Sequence, residues 1–229
     1  MAIITAIHAQ KRNPNRVNVD LDGEFAFGLS RVVAAWLKVG STLSAEKIAR
    51  LQAEDEHEVA VQAAIHFLSY RPRTEQEIIR KLSDKGFTES VVAAVVERLK
   101  QSQMIGDERF AQQWVENRTA LRPRSHRLMV MELRQKGVSD ETAQTALEDA
   151  PDDETLAYQA GLARMNRYAA LDFQEFRKKM SAYLGRKGFS YGVVSGVINR
   201  LWKECRAVGE RENGSDSFSS EIETIGKGI

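Results

Sequence analysis

Residues 71–87 read RPRTEQEIIRKLSDKGF, and residues 122–138, 51 positions further along the chain, read RPRSHRLMVMELRQKGV. The same interval relates three short segments, Lys85-Gly86-Phe87, Lys136-Gly137-Val138 and Lys187-Gly188-Phe189. Several matches in one register are the signature of an internal repeat. The chain is therefore predicted to contain three tandem copies of one structural unit.

Each repeat is predicted to form three helices. In the first, Thr74 followed by Glu77 is a capping box that begins a helix after Pro72. Ile78 and Leu82 belong to its apolar stripe, and Gly86 supplies the left-handed residue that ends it. A single unit buries little surface, so we expect a mainly α fold in which the three-helix repeats form an elongated array. The predicted helices span 57–69, 74–85, 88–102, 107–119, 124–136, 139–149, 153–168, 172–187 and 190–206.

The first 43 residues follow a different pattern. Apolar residues alternate over 3–7, 17–21 and 25–27, and Asp22-Gly23 forms a tight turn, which together predict a three-stranded β-meander. A short helix over 31–38 should end at Gly40. The predicted domains are the β extension (1–43), a connecting segment with repeat 1 (44–103), repeat 2 (104–151), repeat 3 (152–206) and a disordered acidic tail (207–229).

The composition and motifs argue against an enzyme. The chain has 33 Lys and Arg against 32 Asp and Glu, and 42% of its residues are hydrophobic, as in soluble globular proteins. Phosphate-loop, dinucleotide and nucleophile-elbow motifs are missing from the sequence. Cys205 is the single cysteine, and the four histidines lack metal-ligand spacing, so we expect no cofactor and no metal. No apolar run approaches about 20 residues and no signal peptide is visible, which predicts a cytoplasmic protein.

The charge is segregated along the chain although the net charge is only +1. Residues 118–136 carry six basic side chains against Glu132 alone, and 175–187 carry five against Glu175. Both segments contain the second helix of a repeat, so we interpret them as a basic stripe rather than as ordinary solvated faces. The third helices of repeats 1 and 2 begin with carboxylates, which disfavours reading of the DNA major groove.

The repeat pattern resembles the RecX family of bacterial recombinase regulators over about residues 57–206. The third repeat lacks the Arg-Pro-Arg start, and residues 1–40 resemble the N-terminal extension of longer members. The residues that carry the resemblance are Leu68, Arg71, Arg73, Thr74, Glu77, Leu82, Gly86 and Phe87 in repeat 1, Asp107-Glu108, Phe110-Ala111, Trp114-Val115, Arg118, Leu133 and Lys136-Gly137-Val138 in repeat 2, and Leu184, Arg186, Lys187-Gly188-Phe189 and Ser190 in repeat 3.

The resemblance implies a non-enzymatic negative regulator of the RecA recombinase. Such a protein would lie in the groove of the RecA–DNA filament and inhibit its ATPase and strand exchange. We expect a monomer, and we interpret Trp114 as a core residue while leaving Tyr70 open. Two alternatives remain, a module that binds single- or double-stranded DNA without RecA, and a helical scaffold for another protein. The predicted contact residues are Arg71, Arg73, Arg118, Arg122, Arg124, Arg127, Arg177, Lys178 and Lys179, because cationic side chains bind carboxylates and phosphates.

Overall fold

The computed structural model describes residues 1–207. An N-terminal antiparallel sheet comes first in the chain, and the residues after it are mainly helical. Strands β1 (Ala2–Ala9), β2 (Arg16–Leu21) and β3 (Glu24–Ser30) form the predicted meander. A fourth strand, β4 (Thr42–Leu43), pairs with the outer edge of β1 and gives the order β3-β2-β1-β4. The prediction of three strands was wrong because β4 has only two residues, too few to show an alternating pattern in the sequence. Only its pairing with β1 defines β4 as a strand.

The turns of the N-terminal segment largely follow the prediction. Asp22 and Gly23 have φ angles of 51° and 96°, as a two-residue hairpin turn with two left-handed positions requires. Helix α1 (Arg31–Ala34) begins at a Ser30 cap and is shorter than the predicted 31–38. It ends early because the amide of Leu37 bonds the carbonyl of Ala34, three residues back, instead of continuing the α-helical pattern.

Helix α2 (Ala45–Leu68) begins twelve residues before the predicted start at 57. The Ser44 side chain caps it by accepting from the amide of Lys47. Its first half packs on the sheet, where Leu51 is buried and the Asp55 carboxylate accepts a 2.8 Å hydrogen bond from Arg16. Residues 45–56, which were assigned to a connecting segment, therefore belong to the same helix as the first part of repeat 1.

The remaining helices form the three repeats. In repeat 1 the second half of α2 packs with α3 and α4. In repeat 2, helix α7 is shorter than the predicted 139–149. After α7 the chain forms turns, in which the amides of Leu147, Glu148 and Ala150 donate to carbonyls three residues earlier. The helices are α3 (Glu75–Ser83), α4 (Glu89–Gln101), α5 (Asp107–Leu121), α6 (His126–Gln135), α7 (Asp140–Thr145), α8 (Asp153–Tyr168), α9 (Phe173–Arg186) and α10 (191–207).

The second helix of every repeat ends in the same way. Gly86 has a φ angle of 87°, which confirms its predicted left-handed conformation, and Gly137 and Gly188 have the same conformation at 88°. The residue after each glycine donates its amide to a leucine carbonyl five residues earlier, in the pairs Phe87–Leu82, Val138–Leu133 and Phe189–Leu184. The capping box of Thr74 and Glu77 is also confirmed.

The chain divides into two compact units, Met1–Gly106 and the part that begins at Asp107. In the first unit, the sheet and repeat 1 have separate cores, both of which α2 contacts. In the second, repeats 2 and 3 share one core that includes Met129, Leu133, Phe176 and Leu184. The predicted acidic tail lies outside the described residues, apart from residue 207 at the end of α10. Within residues 1–207 no helix has the length and hydrophobicity needed to cross a membrane.

Candidate functional site

Two of the predicted contact arginines of repeat 2 converge on Glu132. Arg118, at the end of α5, donates from Nε to Glu132 Oε2 at 2.8 Å. Arg124, just before α6, donates to the other carboxylate oxygen, and the Trp114 indole N–H donates to Oε2 at 3.0 Å. Only 11% of the Glu132 side chain is exposed. These two guanidinium groups are therefore held against the protein by a nearly buried carboxylate.

The surroundings of this cluster affect its ionisation. Burial lowers the pKa of Arg118 and of Arg124, and the positive charges of Arg118 and Arg122 lower the pKa of Arg124 further. Trp114 packs half-buried against the core, as predicted, and the Arg118 guanidinium lies 4.3 Å from its ring centroid. Arg118, Arg122 and Arg124 thus form one concentrated positive region beside an aromatic ring.

Arg122 and Arg127 differ from these two arginines because their side chains face solvent. Arg122 lies between α5 and α6, and Arg127 lies in the first turn of α6. Among residues 1–207, neither guanidinium has an ion-pair or hydrogen-bond partner. They are free to bind an external anion.

Repeat 3 presents its predicted cations on α9. Arg177, Lys178 and Lys179 are all exposed, and Lys179 pairs with Glu175 at 3.3 Å. Arg177 donates to the hydroxyl of Tyr191 at 3.4 Å, and the Tyr191 side chain is 75% exposed. Tyr191 was missed in the sequence. The 51-residue register could have identified it, because Tyr191 is an aromatic residue at the position where repeats 1 and 2 have the acidic residues Glu89 and Asp140.

The predicted arginines of repeat 1 have intramolecular partners. Arg71 bonds both oxygens of Glu77, at 2.9 and 3.2 Å. Arg73 is half-buried with its guanidinium 3.9 Å from the centroid of the Phe67 ring, and its pKa is lowered by burial and then by the charge of Arg71. Tyr70, whose role was left open, is 70% exposed.

Chemically, these groups suit the binding of anions. The exposed cations lie between α5 and α6, in the first turn of α6 and along α9, and ion pairs such as Arg118–Glu132 and Lys179–Glu175 lie beside them. Within residues 1–207, no group of three or more His, Cys, Asp or Glu side chains is arranged to hold a metal ion. The arrangement can bind carboxylates or phosphates through guanidinium and ammonium groups.

Comparison with known proteins assigns the fold to a family. Residues 2–44 match the description "Regulatory protein RecX N-terminal domain". Residues 60–99, 107–147 and 152–198 match the first, second and third three-helix domains of RecX. The chain is 31% identical over 217 residues to the regulatory protein RecX of Leuconostoc mesenteroides subsp. mesenteroides, covering 93% of this chain and 81% of that protein. The chain belongs to the RecX family.

Further RecX proteins agree with this assignment. The regulatory protein RecX of Bacillus subtilis (strain 168) is 30% identical over 216 residues, covering 93% of this chain and 82% of the relative. A crystal structure of regulatory protein RecX superposes with a TM-score of 0.67 at 28% identity, over 87% of this chain and 100% of that one. The crystal structure of RecX from Lactobacillus salivarius superposes with a TM-score of 0.57 at 25% identity, and the match covers 65% of this chain and 97% of that one.

The family membership confirms the main sequence-based interpretations. The resemblance to RecX and the mainly helical fold with three three-helix domains are both correct. Because RecX proteins are regulatory proteins, the chain is a regulator and not an enzyme. The individual contact residues remain a prediction.

Proposed function

We propose that this RecX-family chain is a negative regulator of the RecA recombinase that acts as a cytoplasmic monomer. It binds in the groove of the RecA–DNA filament and inhibits the ATPase and strand exchange. The observation that carries the proposal is the set of exposed cations of repeats 2 and 3, above all Arg122 and Arg127, which have no ion-pair partner among residues 1–207. A protein–DNA filament offers both carboxylates and phosphates, and guanidinium groups bind either one bidentately.

The geometry supports a division of roles among the predicted arginines. Arg122 and Arg127 make the external contacts, because neither side chain has an ion pair or hydrogen bond with another residue among 1–207. Arg118 and Arg124 position the segment between α5 and α6 through Glu132, and their charge strengthens the positive potential at Arg122. In repeat 3, Arg177, Lys178 and Lys179 extend the surface. In repeat 1, Arg71 is neutralised by Glu77 and Arg73 packs on the Phe67 ring, so we expect both to contribute less than the arginines of repeat 2.

The test is the single-stranded-DNA-dependent ATPase of RecA, titrated with the wild type and with the Arg122→Ala/Arg127→Ala double variant. Losing two charge-assisted contacts should raise the concentration for half-maximal inhibition by about tenfold or more. The matched control is Lys11→Ala/Arg12→Ala, which removes two exposed cations from the β1–β2 turn. A folded Arg122/Arg127 variant that inhibits as well as the wild type would contradict the assignment of these two residues.

A second candidate function is DNA binding without RecA contact, and the exposed Tyr191 ring favours it. An aromatic ring beside a guanidinium can stack on an unpaired base while the cation binds phosphate. This function requires salt-sensitive DNA binding in the absence of recombinase. It also requires that RecA is inhibited only once the protein saturates the DNA, whereas direct action on the filament inhibits at much lower protein concentrations.

A further inference from the structure

A mostly apolar groove of about 410 Å³ runs along the outer side of α6 in repeat 2. Its most accessible apolar side chain is Met131, which is 47% exposed, and Val130 beside it is half-buried. Gln144 of α7 forms the opposite wall. The complete lining is His126, Arg127, Leu128, Val130, Met131, Arg134 and Gln144.

The repeat fold by itself does not require this groove. The middle of the groove is formed by Val130, Met131 and Arg134, which occupy defined positions in the 51-residue register. Their counterparts are Ile79, Arg80 and Ser83 in repeat 1, and Ser181, Ala182 and Gly185 in repeat 3. At the first two of these positions only repeat 2 has two apolar side chains. The groove is therefore a property of this repeat's own surface.

Electrostatics distinguish the two ends of the groove. Arg127 lies in the first turn of α6, which contains no acidic residue, whereas α3 and α9 carry Glu75 and Glu175 in theirs. A cation at a helix N-terminus faces the positive end of the helix dipole, so Arg127 does not favour folding at this position. At the other end, Arg134 is already bonded to both oxygens of Asp140. Within the described residues, the cation of the groove that has no ion-pair partner is thus at the Arg127 end.

We propose that this groove docks an acidic segment of the recombinase that carries an apolar side chain. The apolar side chain packs on Met131 and Val130, and a neighbouring carboxylate bonds to Arg127. The inference rests on the proposed function and deepens it, because it assigns this surface to protein and not to DNA. Phosphate groups have no apolar part to cover Met131 and Val130, and the one ring in the lining, the His126 imidazole, is already bonded to the carbonyl of Pro151.

The test removes the apolar contact without changing charge. Met131→Gln keeps the length of the side chain, and Leu162→Gln on α8 is the matched control, since Leu162 is 39% exposed and lies outside the groove. In the RecA ATPase assay, Met131→Gln should raise the half-inhibitory concentration at least fivefold, while Leu162→Gln should match the wild type. Binding of a fluorescent single-stranded oligonucleotide without RecA should be equal for all three proteins.

The outcomes separate the two proposals. The assignment of the groove is overturned if the Met131→Gln protein inhibits RecA as well as the wild type does. It is also overturned if the variant loses affinity for the oligonucleotide in proportion to its loss of inhibition. Both outcomes leave the proposed function intact. Wild-type protein that leaves the ATPase unaffected overturns both. As a second measurement, a photo-crosslinking benzoylphenylalanine at position 131 should join the chain to the RecA polypeptide in filaments. Cross-links to DNA alone would overturn the docking of a protein segment.

Discussion

At the scale of single residues, the Glu132 carboxylate accepts hydrogen bonds from Arg118, Arg124 and Trp114. Glu132→Gln would leave two half-buried guanidinium groups without a counter-charge. We expect the free energy of unfolding to fall by about 2–3 kcal/mol, which is less than for a fully buried pair because both arginines keep some access to water. Urea denaturation of the full chain measures this change.

The control for this prediction is Glu116→Gln on the exposed face of α5. It removes the same charge without removing a contact, so it should change stability by no more than about 0.5 kcal/mol. Equal effects of the two substitutions would mean that Glu132 acts only through the net charge. The proposed positioning role of Arg118 and Arg124 would then fail.

The Glu204 carboxylate predicts a dependence of stability on pH. The Tyr158 hydroxyl donates to it at 2.6 Å, and this bond, followed by that from Arg200, lowers the pKa of Glu204. A lowered carboxyl pKa stabilises the folded state above the pKa of the unfolded chain, and this contribution is lost as the pH falls through the folded value. The stability difference between wild type and Glu204→Gln should therefore shrink between about pH 7 and about pH 3. A difference that stays constant in denaturant titrations across this range would contradict the prediction.

The roles of individual arginines were only partly predictable. Arg122 and Arg124 stand on either side of Pro123 in one sequence motif, yet one faces solvent and the other bonds Glu132. Charge counts locate the basic segment because they depend only on the local sequence. Which cation is neutralised depends on a carboxylate eight residues away, on the following helix, and no pattern in the sequence specifies that geometry.

At the scale of elements, Gly188 ends α9 at the point where repeat 3 meets repeat 2. Its φ is +88°, and an added Cβ would lie 2.5 Å from Ser125 Oγ and 2.8 Å from Leu128 Cβ. We expect Gly188→Ala to destabilise the protein by about 3 kcal/mol, from backbone strain together with the clash.

Gly185, three residues earlier in the same helix, provides a matched control. An added Cβ there meets nothing within 4 Å, and its φ is not in the left-handed region. Gly185→Ala should therefore stabilise the helix by up to about 1 kcal/mol, the usual gain in helix propensity. Chemical denaturation of both variants measures the contrast. If the two substitutions shift the free energy of unfolding in the same direction, Gly188 does not pack closely on repeat 2.

Element boundaries were predictable where the signal is local. The capping box at Thr74 and the glycines that end the second helices depend on neighbouring residues, and they appeared where expected. The strand β4 and the packing of the first half of α2 depend on contacts with distant parts of the chain. Asp55, for example, is buried where it meets Arg16 and the amide of Ser30, 39 and 25 residues away. Propensity and periodicity do not contain that information.

At the scale of the whole molecule, the 51-residue register was sufficient to predict three helical repeats, because apolar and glycine positions recur in each. The register did not predict that repeats 2 and 3 share one core. Their contact includes the amide of Ser125 donating to the carbonyl of Lys187, and Lys187 Nζ donating to the carbonyl of Pro123. These bonds join residues more than 60 positions apart, so sequence pattern alone could not reveal them.

The central claim is that the chain acts on the recombinase filament itself. The most direct test titrates the wild-type protein into the single-stranded-DNA-dependent ATPase of RecA and, at the same salt concentration, into the DNA without RecA. We expect inhibition at protein concentrations well below those that coat the DNA. Inhibition that begins only when the DNA is saturated would contradict direct action on the filament and establish competition for the strand instead.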